Sequence, residues 1–280
     1  MITNDFFVLD VNYLRKPELN QLLNGSNDIS FVLTENVIVE TMKSENWHFI
    51  YKKNFAIICQ HPEKIYVSSP IGNILEYERQ NKKACLDIFN ESSTEQIRFI
   101  LNEMKNRNVE FLDNILRENI SIAQQHVRLK LLNYKQIKND WLTIYEDFME
   151  SSGSELREHL RKKRLSSNQL YNLTIQLVDE IFCNEKKFFG ASFNKEEINS
   201  FKEENSLFYK LFAALVYNSL WWQMKKGLEN MDMKKITNEK FDIDNILIAL
   251  YGKGIYSDEA YVNELYGHIK KILGIKFQNL

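Results

Sequence analysis

The run Phe6-Phe7-Val8-Leu9, closed at once by Asp10 with Asn12 two places on, constrains this chain more than any other stretch. Four successive apolar residues do not alternate in and out. They fit a strand buried on both faces, as in a parallel sheet. A helix-like segment follows, so the strand ends in a strand-to-helix turn. Open α/β sheets place their ligand crevices at that C-terminal edge, and the Asp10 carboxylate falls there. Two roles suit an aspartate in this position, a metal ligand or a helix N-cap.

The next elements keep the same alternation. Pro17 suits the first turn of a helix over about 18–23, with Gly25 at its stop. Ile29 to Leu33 predicts a second strand, and Thr34 an N-cap for a helix over 35–44. Glu40 then lies in mid-helix beside Val37, Ile38 and Val39. A carboxylate among aliphatics needs a partner, because an unpaired buried charge is costly; a solvated place at the helix boundary is the other reading. Phe55–Cys59 and Lys64–Ser68 read as further strands, split by a turn at Pro62.

From about Ile74 to Glu229 the pattern is helical. Ser92-Ser93-Thr94-Glu95-Gln96 resembles a capping box ahead of Ile97, Ile100, Leu101 and Met104. Further helices are expected over 120–149, 156–164, 167–183 and 196–227, with Ser151-Ser152-Gly153-Ser154 as the clearest linker. The sheet pattern then returns. Phe241 to Leu250 reads as a buried helix capped by Asp242, Ile255-Tyr256 as a short strand ending at Ser257-Asp258, and the rest as an amphipathic helix.

Size and charge bound the function. At 280 residues the chain is one large domain or a domain with a sizeable insertion. Lys plus Arg number 36 against 38 Asp plus Glu, so bulk basicity cannot drive nucleic-acid binding, although a local groove can. Cys59, Cys85 and Cys183 are too scattered for a zinc site or a disulfide framework, and they suit a reducing, cytoplasmic setting. No signal peptide is visible, and no window approaches the ~18 apolar residues of a membrane span. The five histidines form no metal-spacing pair, and no glycine-rich phosphate loop occurs.

Four acids share a placement. Asp10 and Asp258 follow strands, Glu40 lies in the second helix, and Asp244 stands near the start of a late one. Such residues can converge on one sheet edge although far apart in sequence. Converging carboxylates repel, so the arrangement makes sense around a hard cation such as Mg²⁺ or Mn²⁺.

The segments Val8-Leu9-Asp10-Val11-Asn12, Phe31 to Glu40, and Asp244 to Ala249 with Tyr256-Ser257-Asp258 resemble a PIN domain. The resemblance implies a Rossmann-like three-layer α/β/α core with a central parallel sheet, over 1–75 and 230–280, interrupted by an all-helical insertion over 76–229. It implies a metal-dependent nuclease that hydrolyses phosphodiesters, RNA in preference to DNA, of a toxin or defence type. Asp10, Glu40, Asp244 and Asp258 match the acidic quartet that would hold one or two Mg²⁺ or Mn²⁺ ions and carry catalysis. Asn12 and Ser257 match the polar helpers. Asp242 competes for the third acid, but Asp244 precedes the Ile-Leu-Ile-Ala run. The chain departs from the pattern at Val11, in lacking an Asn between Ser257 and Asp258, and in the length of its helical middle. That length leaves room for an inhibitor or partner protein, or for a homo-oligomer. The alternative is a non-catalytic PIN-like scaffold whose insertion binds a protein or nucleic acid.

Two other features have ordinary explanations beside functional ones. The basic run Arg157, His159, Arg161 to Arg164 could track a phosphate backbone, or form a solvated helix face answered by Glu155 and Glu158. Trp221-Trp222 with Phe208, Tyr209, Phe212 and Tyr217 could stack bases, but at helical spacing such aromatics more often form core.

Overall fold

A computed structural model describes residues 5–25, 29–42, 44–108, 110–117, 120, 139, 143, 158–160, 162, 165–184, 193–204, 206–225 and 233–274, with side chains of 233–237 left undescribed. The fold is α/β. Strands β1 (Phe6–Leu9), β2 (Ser30–Leu33), β3 (Ile65–Val67) and β4 (Gly254–Tyr256) form one sheet in the order β3-β2-β1-β4. Every pairing is parallel; Phe7 lies opposite both Phe31 and Gly254, and Leu9 opposite Tyr256. All four residues of β1 are buried, as a central strand covered on both faces requires. Phe7 and Leu9 enter a core with Leu14, Leu23, Phe31 and Phe55, while Phe6 meets the Phe89 ring edge-on at 5.3 Å.

The helices are α1 (Pro17–Gly25), α2 (Glu35–Met42), α3 (Trp47–Phe55), α4 (Ile71–Asn81), α5 (Glu91–Lys105), α6 (Ser167–Asn184), α7 (Lys195–Glu203), α8 (Leu207–Lys225), α9 (Met233–Ala249) and α10 (Ala260–Ile272). None of the described helices is long and apolar enough to cross a membrane.

Several expectations change. Phe55–Cys59 is not a strand. Trp47, Tyr51 and Phe55 fall at i, i+4 and i+8, which turns one face of α3 into the core, and Ile58–Gln60 continues as a 3-10 turn. The cap of α5 is Asn90, whose side chain accepts from Ser93 N at 2.9 Å. Thr94 is instead buried and uses its hydroxyl to accept from Val67 N at 3.0 Å. Asp242 is no N-cap, because α9 begins nine residues earlier at Met233. The helix expected over 196–227 is two, α7 and α8. Most of the helix expected over 120–149, the 151–154 linker and most of the basic run lie outside the described residues. Within that run, Lys162 pairs with Glu158 one turn away, the solvated-face arrangement.

The chain divides into two compact units. One comprises Met1–Ile71, Asp87–Leu132 and Asp244–Asn263; the other comprises Gly72–Leu86, Asn133–Ile243 and Glu264–Leu280. These borders differ from 1–75 with 230–280 and 76–229. Helix α5 goes with the sheet because Arg98 donates to Ile65 O at 2.9 Å and Thr94 takes the Val67 amide. The end of α10 goes with the helical unit, where His268 meets Tyr171 Oη at 2.7 Å. That unit is built on aromatics. Phe182 of α6 contacts Phe193, Phe201, Phe208 and Phe212 at 5.3–5.9 Å. The α8 aromatics Phe208, Tyr209, Phe212, Tyr217 and Trp222 are buried, as core.

Candidate functional site at the carboxyl edge of the sheet

Because the strands are parallel, their carboxyl ends share one edge. The residues that follow them are Asp10, Thr34, Ser68 and Ser257, all polar. Asp10, Thr34 and Ser68 are only 2–3% exposed. In the order β3-β2-β1-β4 the strand sequence reverses direction between β1 and β4, the topological switch point at which open α/β sheets bind ligands. Asp10 and Ser257 flank that point.

Asp10 is held from both sides. Its Oδ1 accepts from Val11 N at 2.7 Å and its Oδ2 from the Ser257 hydroxyl at 2.6 Å. Burial pushes its carboxyl above the ordinary aspartate range; the bonds from Ser257 and Val11 oppose that rise, and the charges of Glu259 and Glu40 add to it. Asn12 links the two strand ends. Its Nδ2 donates to Glu259 Oε1 at 3.1 Å, and its Oδ1 accepts from Asp258 N at 3.2 Å. Ser257 Oγ also accepts from Glu259 N at 3.1 Å.

The other two members of the quartet make different bonds. Asp258 pairs with Lys16 at 2.5 Å on a side chain that is 40% exposed. Asp244, buried on α9, accepts from Asn36 Nδ2 at 2.9 Å, and the neighbouring Asn245 accepts from the Thr34 hydroxyl. These two bonds fasten the first turn of α2 to α9, and so position the helix that carries Glu40. Asp242 is half-buried in mid-α9. Glu259 escapes a reading by spacing because Asp258 already stands directly after Ser257. The only signal was the doubled acid Asp258-Glu259.

The donors are carboxylate, hydroxyl and amide oxygens, the class that Mg²⁺ and Mn²⁺ take. Their placement does not complete a metal site: among the described residues no three His, Cys, Asp or Glu side chains gather closely enough to hold an ion. What the arrangement provides on its own is a buried carboxyl with a raised proton affinity, fixed by a hydroxyl and an amide. Groups so tuned suit proton transfer. Comparison of the chain with protein-family models, with curated proteins and with solved structures found no match.

Proposed function

We propose that this protein is a PIN-like nuclease that hydrolyses phosphodiester bonds, RNA in preference to DNA, at the carboxyl edge of a Rossmann-like α/β/α core. The observation that carries this reading is the buried Asp10 carboxyl, held by Ser257 and the Val11 amide at the β1–β4 switch point. Asp10 takes a proton from the attacking water as its oxygen bonds to phosphorus and gives that proton to the leaving oxygen as the old P–O bond breaks. Ser257 and Asn12 fix the two strand ends on either side of it. Burial, with smaller additions from Glu259 and Glu40, holds Asp10 at a raised proton affinity. Mg²⁺ or Mn²⁺ enters the proposal as cofactor on the resemblance and on the oxygen-only character of the donors. The cytoplasmic, toxin- or defence-type setting rests on the same resemblance.

A second reading has its own support. The Lys16–Asp258 pair, the Asn36–Asp244 bond and the open spacing of the acids favour a non-catalytic PIN-like scaffold that binds a protein or nucleic acid. One experiment separates the two. Labelled single-stranded RNA and DNA are incubated with the wild type, Asp10→Asn and Glu259→Gln, each with Mg²⁺, Mn²⁺ or EDTA. Cleavage that needs a metal and disappears in Asp10→Asn supports the nuclease and chooses its substrate. Intact substrate under every condition, with all three proteins folded, sinks the nuclease and leaves the scaffold.

A further inference from the structure

The sheet-bearing unit holds a second concavity. It is a groove of about 740 Å³ between α2, α5 and the helical stretch 110–117, floored by Val67, Ser68 and Pro70 at the end of β3. Its walls are Ile38, Val39 and Met42 from α2, Ile97 and Ile100 from α5, and Leu116. Phe99 and Ile115 at its border are 46% and 39% exposed, large apolar side chains that water does not favour. The volume lies in the range of single-ligand pockets, roughly 300–1,000 Å³, and well above a packing defect.

Among the described residues the charge at the mouth is one-sided. Glu35 and Glu95 line it, both exposed, and no described Lys, Arg or His does. Arg98, the nearest base on α5, points elsewhere: it donates to Ile65 O and Glu63 O and lies 4.3 Å from the Tyr66 ring centroid. An apolar interior with an acidic mouth selects an apolar body with a cationic head and disfavours a carboxylate of the same shape. We infer that this groove is a binding site for a small cationic amphiphile, an alkyl or aryl chain ending in an ammonium group. The inference does not depend on the phosphodiester reading.

Isothermal titration with dodecylammonium, dodecanol and dodecanoate, each below its micellar concentration, tests it. Expected is saturable one-to-one binding of dodecylammonium, roughly fivefold or more tighter than dodecanoate, as two exposed carboxylates would give. Glu35→Gln with Glu95→Gln, both at exposed positions, should abolish the preference for the cation and leave dodecanol binding unchanged. Ile100→Trp, which fills the groove, should abolish binding of all three. Absence of saturable binding by any of the three would overturn the site, and equal or tighter binding of dodecanoate would overturn the assigned chemistry. If Ile100→Trp does not fold, the double Gln variant still decides.

Discussion

Ser257 Oγ donates to Asp10 Oδ2 at 2.6 Å, joining the residue after β4 to the residue after β1 across 247 positions of sequence. The bond spans the switch point and holds one oxygen of the most buried acid at this edge. Four predictions follow from this relationship and from contacts that hold each unit.

Asp10→Asn should change stability in a pH-dependent way. The folded Asp10 carboxyl lies above its ordinary value of 3.8, chiefly through burial. The unfolded chain therefore releases this proton at lower pH than the folded one. Folding then binds protons, and Asp10 lowers stability progressively as pH rises from near 4 through the folded value. Asn carries no such charge. The variant should gain in melting temperature relative to wild type at pH 7, and the gain should shrink as pH falls towards 4. Thermal unfolding at the two pH values checks this; a gain that is the same at both would show that ionisation is not its cause.

Ser257→Ala removes a hydrogen bond to the charged form of Asp10 and an acceptor for Glu259 N. It should cost about 1–3 kcal/mol at neutral pH and raise the Asp10 proton affinity further, which carboxyl NMR titration would read. Asp258→Asn should leave both nearly unchanged, because its partner Lys16 is a surface group.

Glu78 is fully buried and caps α8 from a distance. Its Oε1 accepts from Cys85 N and Leu207 N at 2.9 and 3.0 Å, and its Oε2 from Ser206 Oγ and Phe208 N, both at 2.7 Å. A carboxylate at a helix N-terminus is favoured by the backbone donors and the helix dipole. Glu78→Ala leaves four donors buried without this acceptor and should cost about 3–5 kcal/mol; Glu78→Gln, which keeps one carbonyl oxygen, should cost less. Urea denaturation of the three proteins would show the order.

Gly252 leads into β4 where there is no room for a side chain. A Cβ there would overlap Phe6 O and lie 2.7 and 2.8 Å from Phe6 ring carbons, while Lys253 N donates to Phe6 O at 2.8 Å. Gly252→Ala forces either the ring or the strand pairing to move and should cost about 1–3 kcal/mol. A melting temperature equal to that of the wild type would show that β4 shifts freely at this point.

The sequence by itself determined the elements whose signal is local. An apolar run as dense as Phe6–Leu9 is stable only when both its faces are covered, so β1 and its parallel partners were legible, as was a carboxylate at the strand end. The periodicity of α8 likewise identified most of its aromatics as core, Trp221 staying half-exposed. Where two periods compete, local signal failed. Phe55–Cys59 looks extended until Trp47 and Tyr51 place Phe55 on one helical face, and Asp242 looks like a cap because the start of α9 carries few apolar residues. The site itself needed the tertiary structure. Spacing cannot say whether an acid faces the edge or a neighbouring lysine, and that choice turned Asp258 towards Lys16 and set Glu259 beside Asp10. Asp244 met Asn36 for the same reason: a side chain settles on the donor that the fold brings within 3 Å, and that donor lies 208 residues away in the sequence.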